Sequence, residues 1–243
     1  MYNPNNGPFG RRNRAFGSPQ YQYQTLPYGY EGTQASGLIS KVMGLLAFSF
    51  LFAFLGSIVG VQIHLGFGAY LVAVLAGFVV LIILNFAIHK QGLNLFLLYL
   101  FTFIEGLAIS PIISIYLNSA PNILGEAFLI TAITSLALAG YAWTTKRDFS
   151  RLGDYLFFGL ILLIVAGIVG FFFHSELFQL LIALVGVAIF SGYVLFYVQR
   201  AKYMADTMPN AIGLTVSIFI TVLNLFLYIL ELLTILSGNN RRR

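Results

Sequence analysis

From Leu38 to Leu236 the chain alternates long apolar runs with short polar breaks. Seven runs stand out, at approximately 38–60, 67–88, 95–117, 122–143, 155–173, 177–198 and 212–236. A spanning helix needs about 20 residues to cross the hydrocarbon core. All seven runs approach or exceed that length, and the fifth is the shortest. The breaks are tight, as in Gln62-Ile63-His64-Leu65-Gly66 and Asn118-Ser119-Ala120-Pro121. Short links join antiparallel neighbours, so the pattern predicts an all-α membrane protein, an up-and-down bundle of seven transmembrane helices. Pro121 and Pro209 stand just ahead of predicted helices, where a missing N–H costs little.

The flanks differ in kind. Residues 1–35 carry Pro4, Pro8, Pro19 and Pro27 together with a Tyr-Gln alternation at Tyr21–Gln24. Such a stretch buries too little apolar surface to offset its ordering entropy, which predicts a disordered tail. It also lacks the short apolar core and small-residue cleavage site of a secretory signal. The expected domain therefore covers 36–238, followed by a basic tail at 239–243.

Composition reinforces the membrane reading. The 243 residues are 59% hydrophobic and only 9% charged, against about 25% charged in ordinary globular chains. With no cysteine there is no disulfide framework, thiolate metal site or cysteine nucleophile. The net charge of +5 does not read as a nucleic-acid surface, because the basic residues lie in the tails and at the ends of apolar runs. Placing the N-terminus in the cytoplasm puts Arg11, Arg12, Arg14, Lys41, Lys90, Lys146, Arg147, Arg151, Arg200 and Lys202 on the inner side. The three outer links then hold no Lys or Arg. That bias predicts an N-inside orientation. Arg241–Arg243 alone depart from it if the seventh helix crosses fully, so the side of the C-terminus stays open.

Candidate chemistry is sparse. Glu105, in Thr102-Phe103-Ile104-Glu105-Gly106-Leu107-Ala108-Ile109-Ser110-Pro111, falls near the middle of the third run, hence near the bilayer midplane at 1.5 Å per residue. An acid at that depth costs roughly 2.5–3.5 kcal/mol on insertion scales and usually faces a bundle interior, a partner or water. No Lys or Arg occurs at comparable depth. The open alternatives are a protonated carboxyl in one interhelical hydrogen bond, a polar-lined cavity, or a bound cation. Pro111 frees the carbonyl of Leu107, one turn from the acid. In the seventh run Ser217, Thr221, Asn224, Tyr228 and Glu231 recur at spacings of 4, 3, 4 and 3, one helical stripe. That stripe predicts a central seventh helix with this face inward, either lining a water-filled path or joining helices by hydrogen bonds.

The remaining features are plainer. Tyr193, Tyr197 and Arg200 share the inner end of the sixth run, a pattern suited to an aromatic belt with a basic anchor. Gly56 and Gly60 form a GxxxG spacing suited to close packing. His64, His89 and His174 sit at segment ends, and there is no H-E-x-x-H or Walker loop. The four lysines also lie at segment ends, leaving no residue for a buried retinal-type Schiff base. No enzyme and no bound cofactor is expected.

Several stretches resemble the Bax inhibitor-1/YccA family of seven-helix membrane proteins. They are Glu105-Gly106-Leu107-Ala108-Ile109-Ser110-Pro111, Thr145-Lys146-Arg147-Asp148-Phe149, Ser191-Gly192-Tyr193 with Gln199-Arg200, and Asn224-Leu225-Phe226-Leu227. The likeness covers roughly 36–236. It implies six helices around the seventh and a pH-sensitive Ca²⁺ leak. For some bacterial relatives it also implies binding to a membrane-bound AAA protease. The family closes its pore with two aspartates that share a proton; their positions here are Tyr197 and Thr221. Close carboxylates titrate as a coupled pair, whereas a tyrosine with a reference pKa of about 10 and a threonine do not switch near neutrality. The reading is therefore a cation leak in which Tyr197 and Thr221 form a non-titrating inner constriction. Asn224 and Glu231 lie along the path, and Glu105 is the candidate Ca²⁺ or proton site. The alternative is a non-transporting regulator of a membrane protease or other membrane partner, gripping it through residues 1–35 and the link around Lys146–Asp154. The lipid bilayer, in a bacterial plasma membrane, is the expected surrounding.

Overall fold

A computed structural model of the chain describes residues 31–64, 66–172 and 175–240. Most of the expected tail, residues 1–30, and the closing Arg241–Arg243 lie outside the described residues. Among the described residues seven helices follow one another: α1 (Glu31–Gln62), α2 (Phe67–Ala87), α3 (Leu93–Ser119), α4 (Pro121–Thr144), α5 (Leu152–Phe172), α6 (Glu176–Ala201) and α7 (Met208–Asn240). Each is long and apolar enough to cross a membrane. The helices outrun the apolar runs at α1 and α7, because backbone hydrogen bonding continues past the last apolar side chain when nothing breaks it. Large apolar side chains project outward along them, among them Phe86, Tyr155, Phe158, Leu136 and Phe172. In water such a surface would aggregate; in lipid it is solvated. The protein is a multi-pass integral membrane protein.

The described chain divides into two compact units, residues 31–121 with 204–219 and residues 122–203 with 220–240. The long helix α7 contributes its first part to one and its second part to the other.

In the α1–α3 unit, α1 and α3 pack most closely. A Cβ added at Gly106 would run into the Ala53 carbonyl oxygen, and one at Gly56 into that of Phe103. Only glycine permits backbones to approach so closely, the use made of small residues in membrane interfaces. Phe219 of α7 packs against Phe50 of α1 and Phe101 of α3, with ring centroids 5.3 and 6.2 Å away. The turn from α2 to α3 passes through Gly92 at φ +80°, a conformation glycine adopts without a Cβ penalty. Buried Asn94 secures it by donating from Nδ2 to the Ile88 carbonyl at 2.9 Å. Near the start of α1, Lys41 Nζ meets Asp206 Oδ1 at 2.9 Å. Asn210 ties the segment ahead of α7 by donating to the Ala205 carbonyl at 2.8 Å.

In the α4–α6 unit, Gly186 of α6 admits the ring of Tyr228 from α7, where an added Cβ would fall 2.5 Å from ring carbons. Tyr228 stacks on Phe190 at 5.7 Å, and Phe128 of α4 stacks on Phe226 at 4.4 Å. Gly153 and Gly192 likewise receive Phe196 and Leu156, joining α5 to α6.

Candidate functional site

Glu105 is half-buried on α3. Its neighbour Gly106 turns toward α1, which directs the acid to another side. The carboxyl lies against α2, where a Cβ added at Gly77 would sit 2.9 Å from Glu105 Oε1. Gly77 is therefore the floor of a small niche that holds the acid between α2 and α3. Among the described residues the carboxyl has no hydrogen-bond donor and no cationic partner. Pro111 does not interrupt α3, and the Leu107 carbonyl that it frees accepts a hydrogen bond from Ser110 Oγ at 2.7 Å. The helix thus repairs its own ladder one turn beyond the acid.

The polar stripe of α7 is enclosed. Ser217 and Thr221 are buried, and Asn224, Tyr228 and Glu231 are half-buried. Several of its donors return to carbonyls one turn back on the same helix. Ser217 Oγ donates to Gly213 at 2.9 Å, and Asn224 Nδ2 donates to Ile220 at 2.8 Å. The Asn224 amide oxygen accepts no hydrogen bond among the described residues, so it is left as an open acceptor. Tyr197 stacks on Tyr193 at 5.6 Å, with 15° between rings, and meets Phe196 edge-on at 5.3 Å. Arg200 lies 5.8 Å over the Phe196 ring. An aromatic column thus runs from Tyr228 through Phe190, Tyr193 and Tyr197 toward Arg200. Tyr197, Thr221, Asn224 and Glu231 belong to the α4–α6 unit, and Glu105 to the α1–α3 unit. No group of three or more His, Asp or Glu side chains gathers as a metal site among the described residues.

The α4–α5 link is built as a fixed loop. Gln199 of α6 uses both ends of its amide: Nε2 donates to the Arg147 carbonyl, and Oε1 accepts from the Phe149 N–H. The side chain acts as a short strand partner for the link. Thr145 Oγ1 accepts from the Arg147 N–H at 3.2 Å, and Asp148 Oδ1 accepts from the Ser150 N–H at 2.8 Å. Lys202 sits 5.5 Å over the Trp143 ring and donates to the Thr145 carbonyl at 3.5 Å. Burial lowers its pKa from the ordinary lysine value. These contacts explain why Thr145–Phe149 and Gln199-Arg200 occur together: one segment supplies the backbone, the other the amide that pairs with it.

Gly77 and Ser110 escaped the sequence reading. A glycine inside an apolar helix costs about 1 kcal/mol relative to alanine in soluble hosts, which was the available signal at Gly77. Nothing in the sequence identified Glu105 as its neighbour.

Comparison with known proteins completes the assignment. The family model described as inhibitor of apoptosis-promoting Bax1 matches residues 35–239. An uncharacterized membrane protein of Vibrio cholerae is 34% identical over 144 residues, 58% of this chain and 64% of that protein. Protein lifeguard 4 of Mus musculus is 32% identical over 145 residues, 60% of this chain and 59% of that protein. The match to these two relatives spans less than two thirds of their length. An uncharacterized protein of Pseudomonas aeruginosa is 29% identical over 223 residues, covering 91% of this chain and 99% of that protein. With seven spanning helices, and with the quoted motifs inside the matched region, the chain belongs to the Bax inhibitor family of membrane proteins.

Proposed function

We propose that the protein is a passive cation leak of Bax inhibitor type, with Ca²⁺ as the permeant ion and Glu105 as the intramembrane cation or proton site. The observation that carries this reading is the mid-span carboxyl, half-buried against Gly77 with no partner among the described residues. Structural acids in a bilayer pair with another residue; an acid left unpaired is available to a mobile ion. In this reading Tyr197 and Thr221 form a non-titrating constriction, and the open oxygen of Asn224 and the carboxyl of Glu231 line the path. The expected setting is a bacterial plasma membrane, with the N-terminus in the cytoplasm. Purified protein in Ca²⁺-loaded or Ca²⁺-free liposomes tests the proposal. Glu105→Gln lowers Ca²⁺ flux by about tenfold or more, the scale of losing one charge-assisted contact. Wild-type flux that survives the substitution removes Glu105 from the mechanism. A wild-type protein inert in liposomes but co-purifying with a membrane AAA protease favours the non-transporting regulator instead.

A further inference from the structure

The α4–α5 link carries Lys146, Arg147 and Arg151, all exposed. None of the three side chains has an ion-pair partner among the described residues. Among the described residues of the link, the exposed acid Asp148 accepts from the Ser150 N–H, and Asp154 at the start of α5 is half-buried. Unpaired exposed cations are ordinary on flexible loops, but this loop is fixed. Gln199 holds it at Arg147 and Phe149, the Leu152 N–H donates to the Phe149 carbonyl at 2.9 Å, and the Phe149 ring rests 6.2 Å from Tyr141.

Its depth is fixed as well. The outward faces of α4 and α5 carry Leu136, Tyr155 and Phe158. At the end of α4 those apolar side chains give way to Tyr141 and Trp143, both exposed. Aromatic side chains of this kind sit at headgroup level. The three cations therefore lie where lipid phosphates lie, on a backbone already ordered, so binding requires little further loss of conformational freedom.

We infer that the Lys146–Arg151 link is a binding site for the headgroups of anionic phospholipids. Charge complementarity selects the occupant: a zwitterionic headgroup brings its own cation to the site, whereas an anionic one leaves its phosphate unneutralised. Gln199 acts as a positioning residue, since it touches the loop backbone and not the lipid.

The chain has one tryptophan, Trp143, which is therefore a reporter at the site. The test places the full chain in phosphatidylcholine nanodiscs and titrates in phosphatidylglycerol or phosphatidylcholine brominated high on the acyl chain. Wild-type Trp143 fluorescence is quenched more by the brominated anionic lipid at equal mole fraction. Neutralising any one of Lys146, Arg147 or Arg151 to Gln lowers that preference about fivefold, from roughly 1 kcal/mol per basic residue at a membrane surface. The triple variant shows none, while quenching by brominated phosphatidylcholine is unchanged. Equal quenching by both lipids in the wild type overturns the inference, as does a preference that survives in the triple variant. Millimolar inorganic phosphate that shifts Trp143 emission, in a wild type that shows no preference for the anionic lipid, assigns the loop to a free anion and also overturns it. No arm depends on Ca²⁺ flux, so the outcome is independent of the leak proposal.

Discussion

Single side chains hold the links between the helices of this protein in place. Gln199 is the clearest case, because its amide satisfies both a donor and an acceptor of the α4–α5 link. Gln199→Leu leaves both backbone groups unpaired, at about 1–3 kcal/mol for each that stays buried. Gln199→Glu keeps the acceptor but loses the donor, so it is intermediate. The measurement is tryptic cleavage at Lys146, Arg147 and Arg151, slow in the wild type and fastest in Gln199→Leu. Lys202 offers a second test. Its lowered pKa means that the folded state disfavours the protonated ammonium. The associated cost is present at neutral pH and is relieved as pH rises through the lowered value toward the ordinary one of about 10.4. Trp143 emission, with the ammonium 5.5 Å from its ring, should titrate with a midpoint below that ordinary value. The titration vanishes in Lys202→Gln.

At the scale of elements, glycines decide which helices meet. Gly106→Val drives a side chain into the Ala53 carbonyl, where the backbone has no room to yield. Overpacking of this kind costs about 1–3 kcal/mol or more, measured as a lowered thermal midpoint in detergent. Gly44 has nothing within 4 Å of an added Cβ, so Gly44→Ala is neutral or stabilising by about 0.5–1 kcal/mol through helix propensity. The elements themselves were legible beforehand. Twenty-residue apolar runs have few alternatives in a membrane, and the start of α4 at Pro121 follows from the proline itself. Helix ends were less legible, since α1 and α7 continue through residues with no apolar signal. The neighbours of Glu105 were not legible at all. Periodicity assigns residues to a face of their own helix but does not say which helix covers that face. The stripe of α7 shows the same limit: its rhythm was visible, while the return of the Ser217 and Asn224 donors to their own backbone was not.

For the molecule as a whole, the absence of acids at Tyr197 and Thr221 governs the expected response to protons. If the leak proposal holds, Ca²⁺ flux changes little between pH 6 and 8, because neither a tyrosine nor a threonine titrates there. A steep sigmoid across that interval in proteoliposomes assigns the switch to a carboxyl. Glu105→Gln then tells whether Glu105 is that group. The glycine contacts between α1 and α3 have a further consequence for this acid. Two backbones in touch at Gly56 and Gly106 behave as one stiff stave, and Glu105 is mounted on it one residue from the joint. α2 closes the other side of the niche through Gly77, and Phe78 and Phe86 on the same helix are exposed. A side chain placed at residue 77 would press the carboxyl off its seat, so what faces Glu105 across the niche is set by a missing Cβ.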